Sequence, residues 1–243
     1  MRIIFLAAPR LMRRLCFLLP ICFLLLVLLF AAGRSLRGTQ PAMKPGLLLS
    51  GKVFAVDPGH GGYDPGVMRD GIAEKDVALE ISLLLRAYLQ SAGARVVMTR
   101  ETDRDLLLPA AGPKKQQDMK NRMQIINGAR PDLLISIHVN SITSPVWRGA
   151  QVFHKAGEGN SKVIAEAIQQ ELKRILANTD REVKPGNYYV LNEAKSPAVL
   201  VECGFLSNPE EASLLTDRTY QSKLAWAVYA GLLRYYHRQL PGS

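Results

Sequence analysis

From residue 52 onward the sequence alternates between two hydrophobic periods, and that alternation limits the fold more than any other feature. Runs of mostly apolar residues, too short for helices, read as buried strands at Val53 to Val56, Arg95 to Thr99, Leu133 to His138, Gly149 to Phe153, Tyr188 to Leu191 and Val199 to Val201. Between them apolar residues recur at helical spacing. Val77, Ile81, Leu84, Leu85, Tyr88 and Leu89 mark a helix that begins at Glu74 and is stopped by Gly93. Further helices are predicted over about 119–128, 161–176 and 220–237. With no internal repeat, the pattern predicts one α/β domain over 52–240, with a mainly parallel central sheet flanked by helices.

In such sheets functional residues gather at the carboxyl ends of the strands. His60 follows the first predicted strand through Asp57-Pro58-Gly59, His138 closes the strongly apolar Leu133–Ile137 run, and Glu202 follows Val199–Val201. The stretch from Glu101 to Asp118 has no clear period and is long for a connection, which makes it a candidate substrate-facing loop.

The first fifty residues have a different character. They hold seven basic residues and no acidic one, so they carry +7 of the formal +10; the remainder, with 24 basic and 21 acidic residues, is only +3. The basic balance therefore belongs to the N-terminus and argues against nucleic acid as a partner. Residues 15–32 are apolar throughout, about the minimum length for a membrane-spanning helix. With residues 1–14 basic, this run is expected to be a single-pass signal anchor with a cytoplasmic N-terminus, followed by a linker over 33–51 and an extracytoplasmic domain. Ala31 and Gly33 offer small residues for cleavage, which would release the domain, and Met12 is an alternative start. Cys16 and Cys22 lie inside the apolar run, leaving Cys203 alone in the domain, so no intrachain disulfide is expected there.

Two histidines and a carboxylate make a ligand set that zinc takes in hydrolases, with a further position left for water. Each residue also has a plainer reading. His60 suits a loop histidine bonded to backbone, His138 a satisfied core histidine, and Glu74 a first-turn residue favoured by the helix dipole. Glu202 is harder to explain structurally, since a buried carboxylate without a partner is costly; beside a metal it is placed to act as a general base. His154 and His237 read as solvent-facing, and Cys203 as a small buried hydrophobe.

Taken together, Asp57-Pro58-Gly59-His60-Gly61-Gly62, Glu74-Lys75-Asp76-Val77, Ser136-Ile137-His138-Val139-Asn140 and Val201-Glu202-Cys203-Gly204-Phe205-Leu206-Ser207-Asn208 resemble the zinc-dependent N-acetylmuramoyl-L-alanine amidase family of the amidase 3 type. The likeness covers residues 52–236. With Trp147-Arg148-Gly149-Ala150-Gln151 and the N-terminal apolar run, it is greatest to the germination-specific amidases of spore-forming bacteria. The resemblance implies a twisted sheet of about six strands, Zn2+ held by His60, Glu74 and His138, and Glu202 as the catalytic glutamate. It implies hydrolysis of the amide between the muramic acid lactyl group and L-alanine of the peptidoglycan stem peptide. It also implies a role in spore cortex maturation, where stripped muramic acid passes to a deacetylase for muramic-δ-lactam formation, and an accessory lipoprotein as a possible partner. The location implied is the forespore intermembrane space. Cys203 replaces a small apolar residue of the family motif, and Leu191-Asn192 stands where many relatives have Leu-Arg, so no substrate-binding residue is assigned there. The rival readings are a membrane-tethered peptidoglycan-binding protein with an inactive metal site and a zinc carboxypeptidase acting within the stem peptide.

Overall fold

The first strand, β1 (Val53–Pro58), pairs in parallel with β4 (Arg95–Met98) on one side and β5 (Leu133–Asn140) on the other. β5 pairs in parallel with β8 (Ala198–Phe205), which pairs antiparallel with β6 (Gln151–His154); β6 pairs in parallel with the two-residue β7 (Lys184–Pro185). The result is a six-stranded, mainly parallel sheet of order β4-β1-β5-β8-β6-β7, as the alternation and the resemblance predicted. A two-stranded antiparallel ribbon, β2 (Met68–Arg69) and β3 (Ile72–Ala73), stands apart from it and was not expected. These features come from a computed structural model that describes residues 48–108, 112–140 and 142–240. The basic segment 1–14, the apolar run 15–32 and most of the linker lie outside the described residues. No helix among the described residues is long and apolar enough to cross a membrane.

The helices are α1 (Glu74–Ser91), α2 (Lys114–Gly128), α3 (Gly159–Leu176), α4 (Tyr189–Glu193), α5 (Pro209–Thr216) and α6 (Arg218–His237). Successive strand residues point to opposite faces, and the buried residues sort accordingly. Phe54, Val56, Leu133, Ile135, Ile137, Val199 and Val201 pack with residues of α1, α3, α5 and α6 in the larger core. Ala55, Leu134, Ala198 and Leu200 point the other way, toward Met123 and Ile126 of α2 and Val190 and Leu191 of α4. Each large aliphatic side chain buried in this way stabilises the fold by about 1.5–3 kcal/mol.

The stripe on the α2 and α4 side changes character as it approaches the carboxyl ends of the strands. Two residues on from Ala55 comes Asp57, Leu134 is followed at the same spacing by Ser136 and His138, and Leu200 by Glu202. Because β1 is flanked by β4 and β5, the chain leaves β1 in one direction and returns on its other side, opening a crevice beyond the ends of β1 and β5. The polar end of the stripe faces that crevice.

Several local expectations are corrected. Residues 189–193 form the short helix α4, not a strand: the aromatic and β-branched residues there favour a strand locally, but Val190 and Leu191 bury against α2 and the sheet in helical form. Glu202 lies within β8, in register with His138 of β5, and His138 is two residues short of its strand's end. His154 is 8% exposed, not solvent-facing, because β6 is flanked by both β8 and β7. His237 is exposed and Cys203 fully buried, as expected.

Candidate active site

The loop after β1 carries His60 with φ +59°, a left-handed conformation unusual for a residue with a side chain. Gly59 before it must be glycine: a Cβ there would sit 2.4 Å from Cε1 of His138. The two imidazoles consequently meet edge to face, with centroids 5.1 Å apart. Glu74 reaches them from the first position of α1. The ribbon before the helix folds back so that the Glu74 N–H donates to Val67 O at 2.8 Å, and Gly66 leaves room for the carboxylate, since a Cβ there would lie 2.5 Å from Glu74 Oε2.

Glu74 is 3% exposed, and both of its oxygens are used. Oε1 lies 2.9 Å from His138 Nδ1 and accepts from the Val139 N–H at 3.0 Å. Oε2 lies 3.3 Å from His60 Nε2 and accepts from the Val67 N–H at 2.9 Å. Burial works to raise the Glu74 pKa, but hydrogen bonds and charge from His138 and His60 outweigh it and hold the carboxyl far below its ordinary range. The other nitrogen of His60, Nδ1, lies 2.9 Å from Asp64 Oδ2, which fixes the ring's orientation. Burial opposes protonation of His60, yet Glu74 and Asp64 together raise its pKa.

Glu202 is 7% exposed, and its Oε2 has no hydrogen-bond partner. Burial pushes its carboxyl up to about 7, against the pull of His138 and His60 and with added repulsion from Glu74. Tyr188 stands beside it; burial and the Glu202 charge push the phenol up to about 12.

One donor atom from each of His60, Glu74 and His138 can be chosen so that all three lie within 4.8 Å of one another. Two imidazole nitrogens and a carboxylate oxygen suit a divalent metal. A dication would also offset the two nearby buried carboxylates, Glu74 and Glu202. The donor chemistry and the unpartnered oxygen thus both fit a metal at this point. The group opens into a cleft of about 540 Å³, whose walls include Tyr63, Lys115, Met119, Tyr188 and Tyr189.

Two buried arginines fasten the loop from below. Arg122 donates to Asp57 Oδ1 at 2.6 Å, Pro58 O at 2.8 Å, His60 O at 3.0 Å and Asp118 Oδ2 at 3.0 Å. Arg100 donates to Pro58 O at 3.2 Å, Gly59 O at 2.7 Å and Lys75 O at 2.8 Å, tying the loop to α1. For Asp57, full burial is outweighed by Arg122, with Thr99 and Ser136 also donating, so its pKa is lowered. The sequence reading missed Asp64, Arg100, Arg122 and Tyr188. The one available signal was Arg122 itself, a charge set beside Met119, Met123 and Ile126 on the face of α2 that meets the sheet.

A family model described as N-acetylmuramoyl-L-alanine amidase matches residues 54–234. The chain belongs to that family. The match reaches from β1 into α6 and includes all four residues at the crevice. The amidase is 42% identical over 219 residues to the germination-specific N-acetylmuramoyl-L-alanine amidase of Bacillus subtilis (strain 168), covering 88% of this chain and 91% of that one. Among solved structures it is similar to the CwlD amidase from Clostridioides difficile in complex with the GerS lipoprotein, with 40% identity, a TM-score of 0.75, and 77% of this chain and 99% of that one covered. The catalytic domain of CwlV, the amidase from Bacillus (Paenibacillus) polymyxa var. colistinus, matches at 29% identity and a TM-score of 0.67, covering 76% and 97%. The amidase is thus an enzyme with N-acetylmuramoyl-L-alanine amidase activity on the cell wall.

Proposed function

We propose that the chain is a zinc-dependent amidase, with His60, Glu74 and His138 as the metal ligands and Glu202 as the residue that handles the proton. The observation that carries this reading is the convergence of His60 Nε2 and His138 Nδ1 on the two oxygens of Glu74, with the unpartnered Oε2 of Glu202 across the crevice. Zinc held by such a set supplies Lewis acidity, polarising an amide carbonyl and making water nucleophilic near neutral pH. Glu202 Oε2 has no competing donor, so it is available to accept the proton of attacking water and return it to the leaving L-alanine nitrogen. Tyr188 orients that carboxylate, while Asp64 holds the His60 ring. Arg100 and Arg122 keep the loop that carries His60 from moving.

The setting we propose is the outer side of the cytoplasmic membrane, with residues 15–32 as anchor and 33–51 as tether. The germination-specific relative in Bacillus subtilis supports a role in the spore, in which removal of stem peptides from the cortex precedes muramic-δ-lactam formation by a deacetylase. The CwlD structure, in complex with a lipoprotein, supports an accessory lipoprotein partner.

The assigned roles are tested by purifying wild type, His60→Ala and Glu202→Gln, then measuring zinc content and release of stem peptide. The expected outcome is one zinc per chain in wild type and in Glu202→Gln, with turnover of Glu202→Gln down by about 10²–10⁴-fold, and loss of zinc in His60→Ala. Unchanged turnover of Glu202→Gln sinks its assigned role. Zinc-loaded wild type that releases nothing, with the lipoprotein supplied, favours a binding protein.

A further inference from the structure

The cleft does not end at Tyr189. That residue, 47% exposed, also lines a second hollow of about 690 Å³ on its far side. One stripe of α2 runs through both: Lys115 and Met119 line the catalytic cleft, and Met123 and Asn127, continuing at four-residue spacing, line the hollow. At 1.5 Å per residue the stripe from Lys115 to Asn127 is about 18 Å long. The opposite wall is α4, whose carboxyl end is tied down by the Asn127 side chain: Nδ2 donates to Glu193 O at 3.1 Å and Oδ1 accepts from the Lys195 N–H at 3.0 Å.

The hollow is cationic. Lys120, Arg130 and Lys195 line it, and among the described residues none of these three side chains has a hydrogen bond or an ion pair. Glu193 is the one carboxylate in the lining, so the hollow carries a formal +2. Arg130 has φ +47°, just beyond the end of α2, where glycine is the usual residue. The chain thus accepts a strained backbone at a site where an arginine serves the hollow and a glycine would relieve the strain.

We propose that the stem peptide runs from the scissile amide over Tyr189 along the groove between α2 and α4, and that Lys120, Arg130 and Lys195 bind carboxylates of its distal residues. The inference rests on the amidase reading for the position of the scissile bond. Length and charge both match. An extended peptide of four or five residues spans about 13–18 Å at 3.3–3.6 Å each, the length of the groove. Stem peptides carry their distal negative charge as the C-terminal carboxylate and, where present, the free carboxylate of a diamino acid. The hollow would accordingly set preference for peptide length and charge while leaving the chemistry at the crevice untouched.

The test uses the full chain, zinc-loaded, as wild type and as the triple variant K120E/R130E/K195E, with K120E and K195E singly. Calorimetry reads binding of the free stem tetrapeptide, and turnover is followed on muramyl dipeptide and on muramyl tetrapeptide. The triple variant is expected to bind tetrapeptide at least about tenfold more weakly, and to raise KM for muramyl tetrapeptide alike, with kcat and all dipeptide constants unchanged. The exposed single substitutions, which leave the fold intact by circular dichroism, shift both in the same direction by about two- to threefold. Equal constants for wild type and the variants, or an equal KM rise for dipeptide and tetrapeptide, overturns the proposal. Wild type that binds tetrapeptide in a charge-dependent way but cleaves neither substrate, with the lipoprotein supplied, upholds the hollow and removes the amidase reading alone.

Discussion

Glu202 shows how one residue's surroundings become a measurable property. It is 7% exposed, close to Glu74, and burial lifts its carboxyl to about 7. A group whose folded-state pKa is raised contributes stability that is fully present below its unfolded pKa, near 4.5, and is lost as pH rises through about 7. In chelator-treated protein, wild type therefore becomes less stable by roughly 3 kcal/mol between pH 4.5 and pH 8 on this residue's account. Glu202→Gln has no such charge to bury. Its unfolding midpoint should exceed that of wild type at pH 8, and the gap should close as pH falls to 4.5. A gap independent of pH contradicts the placement of a carboxyl in so buried a position. Zinc should reduce the gap, because a nearby cation favours the charged carboxylate.

At the scale of elements, the loop after β1 is held by groups that lie far away in sequence. Arg122 of α2 is 2% exposed and pairs with Asp57 and Asp118 while binding two loop carbonyls. Arg122→Met removes the positive partner and leaves two carboxylates facing each other, so the expected loss is about 3–5 kcal/mol, measured by denaturant unfolding. A cost under about 1 kcal/mol contradicts the role given to Arg122. These arginines explain what was legible and what was not. His60 and His138 could be picked out because apolar runs lead into them, and Glu202 because a carboxylate directly after such a run is hard to place otherwise. The motifs that carry the family resemblance brought in Glu74. Arg100 binds backbone carbonyls throughout, and Arg122 binds two of them besides its two carboxylates; no local pattern encodes where those carbonyls lie. Asp64 and Tyr188 act on the side chains of other site residues, and Tyr188 gains its place only because residues 189–193 are helical, which their strand-like composition conceals. The α/β architecture was legible because hydrophobic period reports it directly; the two-residue strands and α5 were not, being too short to show a period.

For the whole molecule, the sequence divides into a basic, apolar N-terminal segment and a domain whose charges nearly balance. If residues 15–32 anchor the chain, deleting residues 1–47 should move activity from the membrane fraction to the soluble one, with kcat on soluble muropeptides unchanged. Soluble activity from the full-length chain contradicts an uncleaved anchor. Everything proposed for the domain converges on one bond in the cell wall, so its products decide most directly. Glycan strands bearing stem peptides, incubated with the zinc-loaded protein and resolved by mass spectrometry, should yield whole stem peptides beginning with a free L-alanine amine and muramic acid with an unsubstituted lactyl carboxylate. Cleavage inside the stem peptide, with L-alanine still attached to muramic acid, would contradict the account.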